Sequence, residues 1–80
     1  MVNKVAWITG AGSGIGEASA IKLSEEGYVV VLSGRTKQAL DDAASKCKGE
    51  ASVKPLDVSN SGDVKDVFES IISEYGRIDV

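Results

Sequence analysis

Apolar and polar positions follow two alternating rhythms along this chain. Val5-Ala6-Trp7-Ile8 is a short apolar run ending in Thr9-Gly10, which predicts a buried strand. From Gly14 to Glu26 the apolar residues Ile15, Ala18, Ala20, Ile21 and Leu23 predict a helix, stopped at Gly27. Tyr28 to Leu32 is apolar at every position, without alternation, as in strands buried on both faces of a parallel sheet. A second helix is expected from Lys37, with Thr36 as N-cap and Gly49 as terminator. Its residues Leu40, Ala43, Ala44 and Cys47 fall on one face. Ala51 to Leu56 predicts a weaker third strand, with Pro55 near its end. Ser59, Asn60 and Ser61 are candidate caps for a third helix. Its stripe is Val64, Val67, Phe68, Ile71, Ile72 and Tyr75, and Gly76 closes it. Ile78-Asp79-Val80 reads as the opening of a fourth strand.

The order β-α-β-α-β-α, then a strand cut short, implies an α/β fold: a doubly wound parallel sheet with helices on both faces. Residues 1–80 form one domain that reads as incomplete, because the fourth strand of such a sheet normally covers the first. Ordering costs about 1.5 kcal/mol per residue and nearly offsets burial in so short a chain, so independent folding is not expected to be robust. No apolar run reaches the roughly 18 residues of a membrane span. The start of the chain lacks the features of an export signal. One cysteine makes no internal disulfide, so the cytoplasm is the expected compartment. A net charge of −3 without a basic stripe argues against a nucleic-acid partner. No histidine is present and no carboxylates converge, so no metal site is expected.

The candidate chemistry lies in Thr9-Gly10-Ala11-Gly12-Ser13-Gly14-Ile15-Gly16, between the first strand and the first helix. A pyrophosphate needs backbone N–H donors and the positive end of a helix dipole at close range, and side chains would obstruct it. The loop's glycines are therefore read as ligand access. Gly16 is followed by Glu17 and Ala18, not by the lysine and hydroxyl of a nucleotide-triphosphate loop. Ile15 and Glu17 stand where the third glycine of G-x-G-x-x-G would fall, leaving G-x-x-x-G-x-G at 10, 14 and 16.

That spacing resembles the short-chain dehydrogenase/reductase family of ordinary, non-extended type, specifically the N-terminal cofactor-binding half of its Rossmann-type sheet. The resemblance covers the whole chain: Ser33-Gly34-Arg35 matches the end of the second strand, Asp57-Val58 the end of the third, and Gly76-Arg77-Ile78-Asp79-Val80 the approach to the fourth. It implies that Thr9, Gly10, Gly12, Ser13, Gly14, Ile15 and Gly16 hold the pyrophosphate. Asp57 would meet the adenine amino group, and the backbone at Val58 would lie along the adenine. It also implies a parent enzyme moving a hydride between NAD(P)(H) and a small carbonyl or alcohol. The family's catalytic serine, tyrosine and lysine lie beyond this sequence, so no catalytic residue is assigned and the chain alone is expected to be inactive. Tyr28 and Tyr75 are followed four residues on by Leu32 and Asp79, not by lysine. Parents of this kind are often dimers or tetramers, so a homo-oligomer of the full-length protein is an open expectation.

NAD-preferring Rossmann sites usually place an acidic residue at the end of the second strand. Here the place falls to Gly34, followed by Arg35. Charge-assisted bonds from Arg35 to a 2′-phosphate would favour NADP over NAD roughly 10- to 100-fold. The alternative for Arg35 is a solvated loop residue, with NAD as cofactor. Cys47 and Trp7 are read as packing residues. Two other functional classes stay open: a non-catalytic NADP(H)-binding or redox-sensing module, and an epimerase or dehydratase of the extended branch. The latter is disfavoured by serine at position 13.

Overall fold

The run Val29-Val30-Val31-Leu32-Ser33 offers no polar face to water, and all five residues are buried as the middle strand of a three-stranded parallel sheet. The structure is a computed structural model and describes residues 4–12, 14–57 and 59–79. Its elements are β1 (Val5–Thr9), α1 (Gly14–Glu25), β2 (Val29–Ser33), α2 (Lys37–Ser45), β3 (Ala51–Val53) and α3 (Ser61–Tyr75). The strand order is β1-β2-β3, with Val5 opposite Val29 and Val30 opposite Ala51.

Alternation along β2 divides the core. Val30 and Leu32 pack with Ala6, Ala20, Leu40 and Ala43 beneath α1 and α2. Val29 and Val31 pack on the opposite face with Val5 and Ile71, beneath α3. The α/β fold with helices on both faces is therefore as the sequence implies, with the first three strands and three helices in the expected order. Ile78 and Asp79 of the expected fourth strand are not in a strand, and Val80 lies outside the described residues.

Several boundaries differ. Tyr28 lies outside β2 and Ser33 inside it. Ser33 is buried because its hydroxyl accepts from Trp7 Nε1 at 2.9 Å and donates to the Lys54 carbonyl at 2.7 Å. Regular pairing of β3 ends at Val53 rather than Leu56. Pro55 has no N–H to contribute, although Lys54 and Leu56 still donate to the Leu32 and Gly34 carbonyls at 2.9 Å each. Helix α2 ends at Ser45, well before Gly49, and tightens as the Lys46 and Cys47 amides donate to Ala43 and Ala44. Cys47 thus sits just past the helix, half-buried against the α1–α2 core. Thr36 occupies the N-cap position, but its side chain makes no capping bond.

Of the three candidate caps of α3, Asn60 serves. Its Oδ1 accepts from the Gly62 and Asp63 amides at 2.9 and 3.2 Å, an arrangement that contributes about 1 kcal/mol. Gly76 closes the helix in the left-handed conformation at φ 81°. The predicted stripe has the right phase but not the full width. Ile71 is wholly buried, whereas Phe68 and Ile72 are 47% and 38% exposed. Trp7 is only half-buried, at the edge of the same cluster.

Beyond α3 the chain turns along the free edge of β1. The Asp79 amide donates to the Val5 carbonyl at 2.8 Å, and Asp79 Oδ2 accepts from the Val5 amide at 2.9 Å. Arg77 grips the same carboxylate with two bonds of 2.8 and 2.7 Å. Together Arg77 and the Val5 amide hold the Asp79 carboxyl below its ordinary pKa. The fourth segment therefore begins beside β1, where the expected fourth strand belongs.

At its C-terminal end α3 is tied to β3. The Tyr75 hydroxyl donates to Glu50 Oε2 at 3.0 Å and shares a hydrogen bond with Ser52 Oγ. Lys54 pairs with Glu74 at 3.1 Å. Burial, and then the Glu50 carboxylate, push the Tyr75 phenol above its ordinary value of 10.0. A group whose folded pKa is raised contributes stability that is complete below the unfolded pKa and lost as pH rises through the folded one. The urea midpoint is accordingly expected to fall as pH rises above about 10, and to fall less in Tyr75→Phe. Equal slopes in the two proteins would count against this tie.

Candidate functional site

The loop after β1 is shaped by its own backbone. Gly10 and Gly14 have φ of 65° and 58°, a left-handed conformation that costs an L-residue roughly 1–2 kcal/mol. Among the described residues nothing lies within 4 Å of a Cβ built at either position. Gly16 differs: a Cβ there would lie 2.2 Å from the Gly10 carbonyl oxygen. At Gly12 it would lie 2.9 Å from Ala39 Cβ. This corrects the reading of the glycines as ligand access alone, since each also has a conformational or packing reason within the chain. The loop is fastened to the sheet by buried Ala11, whose amide donates to the Ser33 carbonyl at 3.1 Å.

At the carboxyl ends of the strands this loop borders a cleft of about 300 Å³. The cleft is lined by Gly10 and Gly12 of the loop, by Gly34, Arg35 and Thr36 after β2, and by Ala39, Leu40 and Leu56. An adjoining hollow is lined by Arg35, Pro55, Leu56, Asp57 and Asp63. Open parallel sheets bind ligands at this end. Leu40 and Leu56, both buried, give the cleft an apolar floor. Arg35 lines both the cleft and the hollow, and its Nη2 stands 3.4 Å from Oδ1 of Asp57 in the hollow.

Asp57 is held by its neighbours. Its Oδ1 accepts from the Ser59 hydroxyl at 2.7 Å and the Ser59 amide at 2.9 Å, while its own amide faces Asp63 Oδ2 at 3.4 Å. The Ser59 hydroxyl, then the Ser59 amide, and more weakly Arg35 hold the Asp57 carboxyl below its ordinary pKa. Asp57 is thus a fixed, ionised acceptor at neutral pH, and the cleft with its adjoining hollow brings together apolar side chains, an acceptor and a cation.

The structure brings only part of the predicted set together. Gly10, Gly12 and Arg35 line the cleft, and Asp57 lines the hollow beside it. Thr9 is the exposed last residue of β1, and Gly14 and Gly16 open α1 without lining the cleft. Ile15 is 87% exposed and lines a groove along α1 with Ala18, Ser19, Lys22 and Leu23. Ser13 and Val58 lie outside the described residues. The sequence reading missed Leu40 and Leu56 as floor, and Ser59 and Asp63 as the residues that fix Asp57. The Asp-x-Ser spacing at 57–59, which favours a side-chain turn, was the available signal.

Comparison with known proteins places this geometry. The short chain dehydrogenase family matches residues 4–80. A meso-2,3-butanediol dehydrogenase of Serratia marcescens is 47% identical over 79 residues, or 98% of this chain and 32% of that protein. An uncharacterized oxidoreductase of Staphylococcus epidermidis is 43% identical over 77 residues, 96% of this chain and 34% of the other. A metagenomic short-chain oxidoreductase solved in complex with NADP superposes with a TM-score of 0.95 at 34% identity, covering 100% of this chain and 38% of that one. The 3-ketoacyl-(acyl-carrier-protein) reductase from Brucella melitensis, complexed with NADH, gives 0.89 at 36% identity, covering 98% and 32%. The chain spans about a third of the length of the relatives it matches. By sequence and by fold, this chain belongs to the short chain dehydrogenase family.

Proposed function

We propose that the chain forms the adenosine and pyrophosphate portion of an NADP(H) site, in a short-chain oxidoreductase that interconverts a small carbonyl and its alcohol. The observation that carries this reading is the cleft at the strand ends, lined by both Gly10 and Gly12 and by Arg35. Its size and apolar floor fit an adenosine, and the ionised Asp57 fits the adenine amino group. Thr9, Gly10, Gly12, Ser13, Gly14, Ile15 and Gly16 would receive the pyrophosphate at the start of α1, where the helix dipole favours negative charge. The Val58 backbone would lie along the adenine. Arg35 would pair with the 2′-phosphate, since Gly34 puts no carboxylate at the end of β2. When bound, the nicotinamide supplies hydride chemistry; the residues of this chain bind and orient.

NAD is the second reading of the cofactor, favoured by the ion pair that already occupies Arg35. The non-catalytic module is the second reading of function, and the cytoplasm is the compartment we assign. None of the described helices is long and apolar enough to cross a membrane. The chain by itself is expected to reduce no carbonyl substrate with NADPH, because we assign it no catalytic residue. Titration with NADPH and NADH tests the site. NADPH is expected to bind roughly 10- to 100-fold more tightly, and Arg35→Ala to abolish most of that difference. Equal affinities, or tighter NADH, would overturn the role of Arg35.

A further inference from the structure

We infer that Asp57, by competing with a 2′-phosphate for Arg35, and Asp63, by placing like charge beside it, are specificity-determining residues that weaken the preference for NADP(H) over NAD(H). This rests on the reading of the cleft as an adenosine site. Arg35, Asp57 and Asp63 line one hollow, in which Asp57 pairs with the guanidinium and Asp63 adds a second carboxylate. Asp57 is the fixed member, because both the amide and the hydroxyl of Ser59 bind its Oδ1. Asp63 is likewise fixed in the first turn of α3 and faces the Asp57 amide. Arg35 is the adaptable member, with its side chain 74% exposed and its contact to Asp57 at 3.4 Å.

A phosphate on the 2′ position must draw the guanidinium from Asp57, or share it, beside a second carboxylate of like charge. Like charges brought together lower affinity for one partner without affecting an uncharged one. A ribose with a free 2′-hydroxyl meets no such opposition. The carboxylates therefore act on the ratio of the two affinities. Loss of an adenine contact at Asp57 lowers both affinities alike and cancels from that ratio.

Adenosine 2′,5′-bisphosphate and 5′-AMP are the probes, titrated calorimetrically into the full chain, Asp57→Asn and Asp63→Asn. Asparagine at 63 keeps an oxygen for the Asp57 amide while removing the charge. Each variant is expected to raise the bisphosphate-to-AMP affinity ratio about two- to fivefold, the range of an exposed ion pair. The gain should shrink as added salt screens the charges. Unchanged ratios, with both probes bound, overturn this inference and leave the adenosine reading standing. A falling ratio in Asp57→Asn also overturns it, since Asp57 would then be holding Arg35 in place for the phosphate. If the unsubstituted chain binds neither probe, the adenosine reading falls and this inference with it.

Discussion

Gly16→Ala is expected to destabilise the chain by more than about 3 kcal/mol, the upper end of what overpacking usually costs. The added methyl would meet the Gly10 carbonyl oxygen at 2.2 Å and its carbon at 2.8 Å. Neither is the end of a flexible side chain, so relief requires the first turn of α1 to lift off the loop. Lifting it breaks the packing of buried Ala11 and Ala20 against Val30 and Leu32. Gly14→Ala is the control. Its φ of 58° imposes strain of roughly 1–2 kcal/mol, but a methyl there meets no described atom within 4 Å. Urea unfolding followed by Trp7 fluorescence measures both, because the indole N–H is bonded to Ser33 across the sheet. A Gly16→Ala protein as stable as Gly14→Ala would show that the loop and helix are not locked at this contact.

The same residue marks the limit of what the sequence could say. Its place in the loop was legible, and so was a family that puts phosphate there. The Gly10 carbonyl beneath it was not, because a contact six residues away across a turn depends on dihedral angles that a pattern does not carry. β2 was legible because a run of apolar residues has few alternatives to a buried strand. Its last residue was not, since Ser33 is buried by partners 26 and 21 residues distant, Trp7 and Lys54. In the site, Arg35 was legible from its place at the end of the second strand, and Asp57 from the resemblance to the family. That they form a pair across 22 residues, and that Ser59 fixes one of them, required the ends of β2 and β3 to be placed side by side. For α3 the periodicity gave the phase of the buried stripe. It gave no width, because width is set by what packs beside a helix rather than by the helix itself.

That difference between phase and width leads to the second large effect, at Ile71. Ile71→Ala is expected to cost about 2–5 kcal/mol, while Phe68→Ala and Ile72→Ala, on the same stripe, should each cost less than about 1 kcal/mol in this chain. Ile71 is the one residue of α3 that is fully buried among those described, and it packs with Val5, Val29 and Val31. Truncation leaves a cavity at the centre of that face. The other ties of α3 are partly buried or polar: Val67 and Tyr75 pack at the margin of the cluster, and the Asn60 cap, Tyr75 with Glu50 and Ser52, and Lys54 with Glu74 lie outside it. The first consequence is therefore a local undocking of α3, with α1 and α2 still packed on the opposite face. Amide hydrogen exchange distinguishes this from general loosening. Residues 64–75 should lose protection in Ile71→Ala at urea concentrations where Val30 and Leu32 keep theirs. Because Asp63 faces the Asp57 amide from the first turn of α3, the same undocking should carry Asp57 with it and weaken adenosine ligands without any change in the cleft's own side chains. Equal costs at positions 71 and 72 would mean that α3 sits on the sheet by a different face, and the link from its core contact to Asp57 would fail.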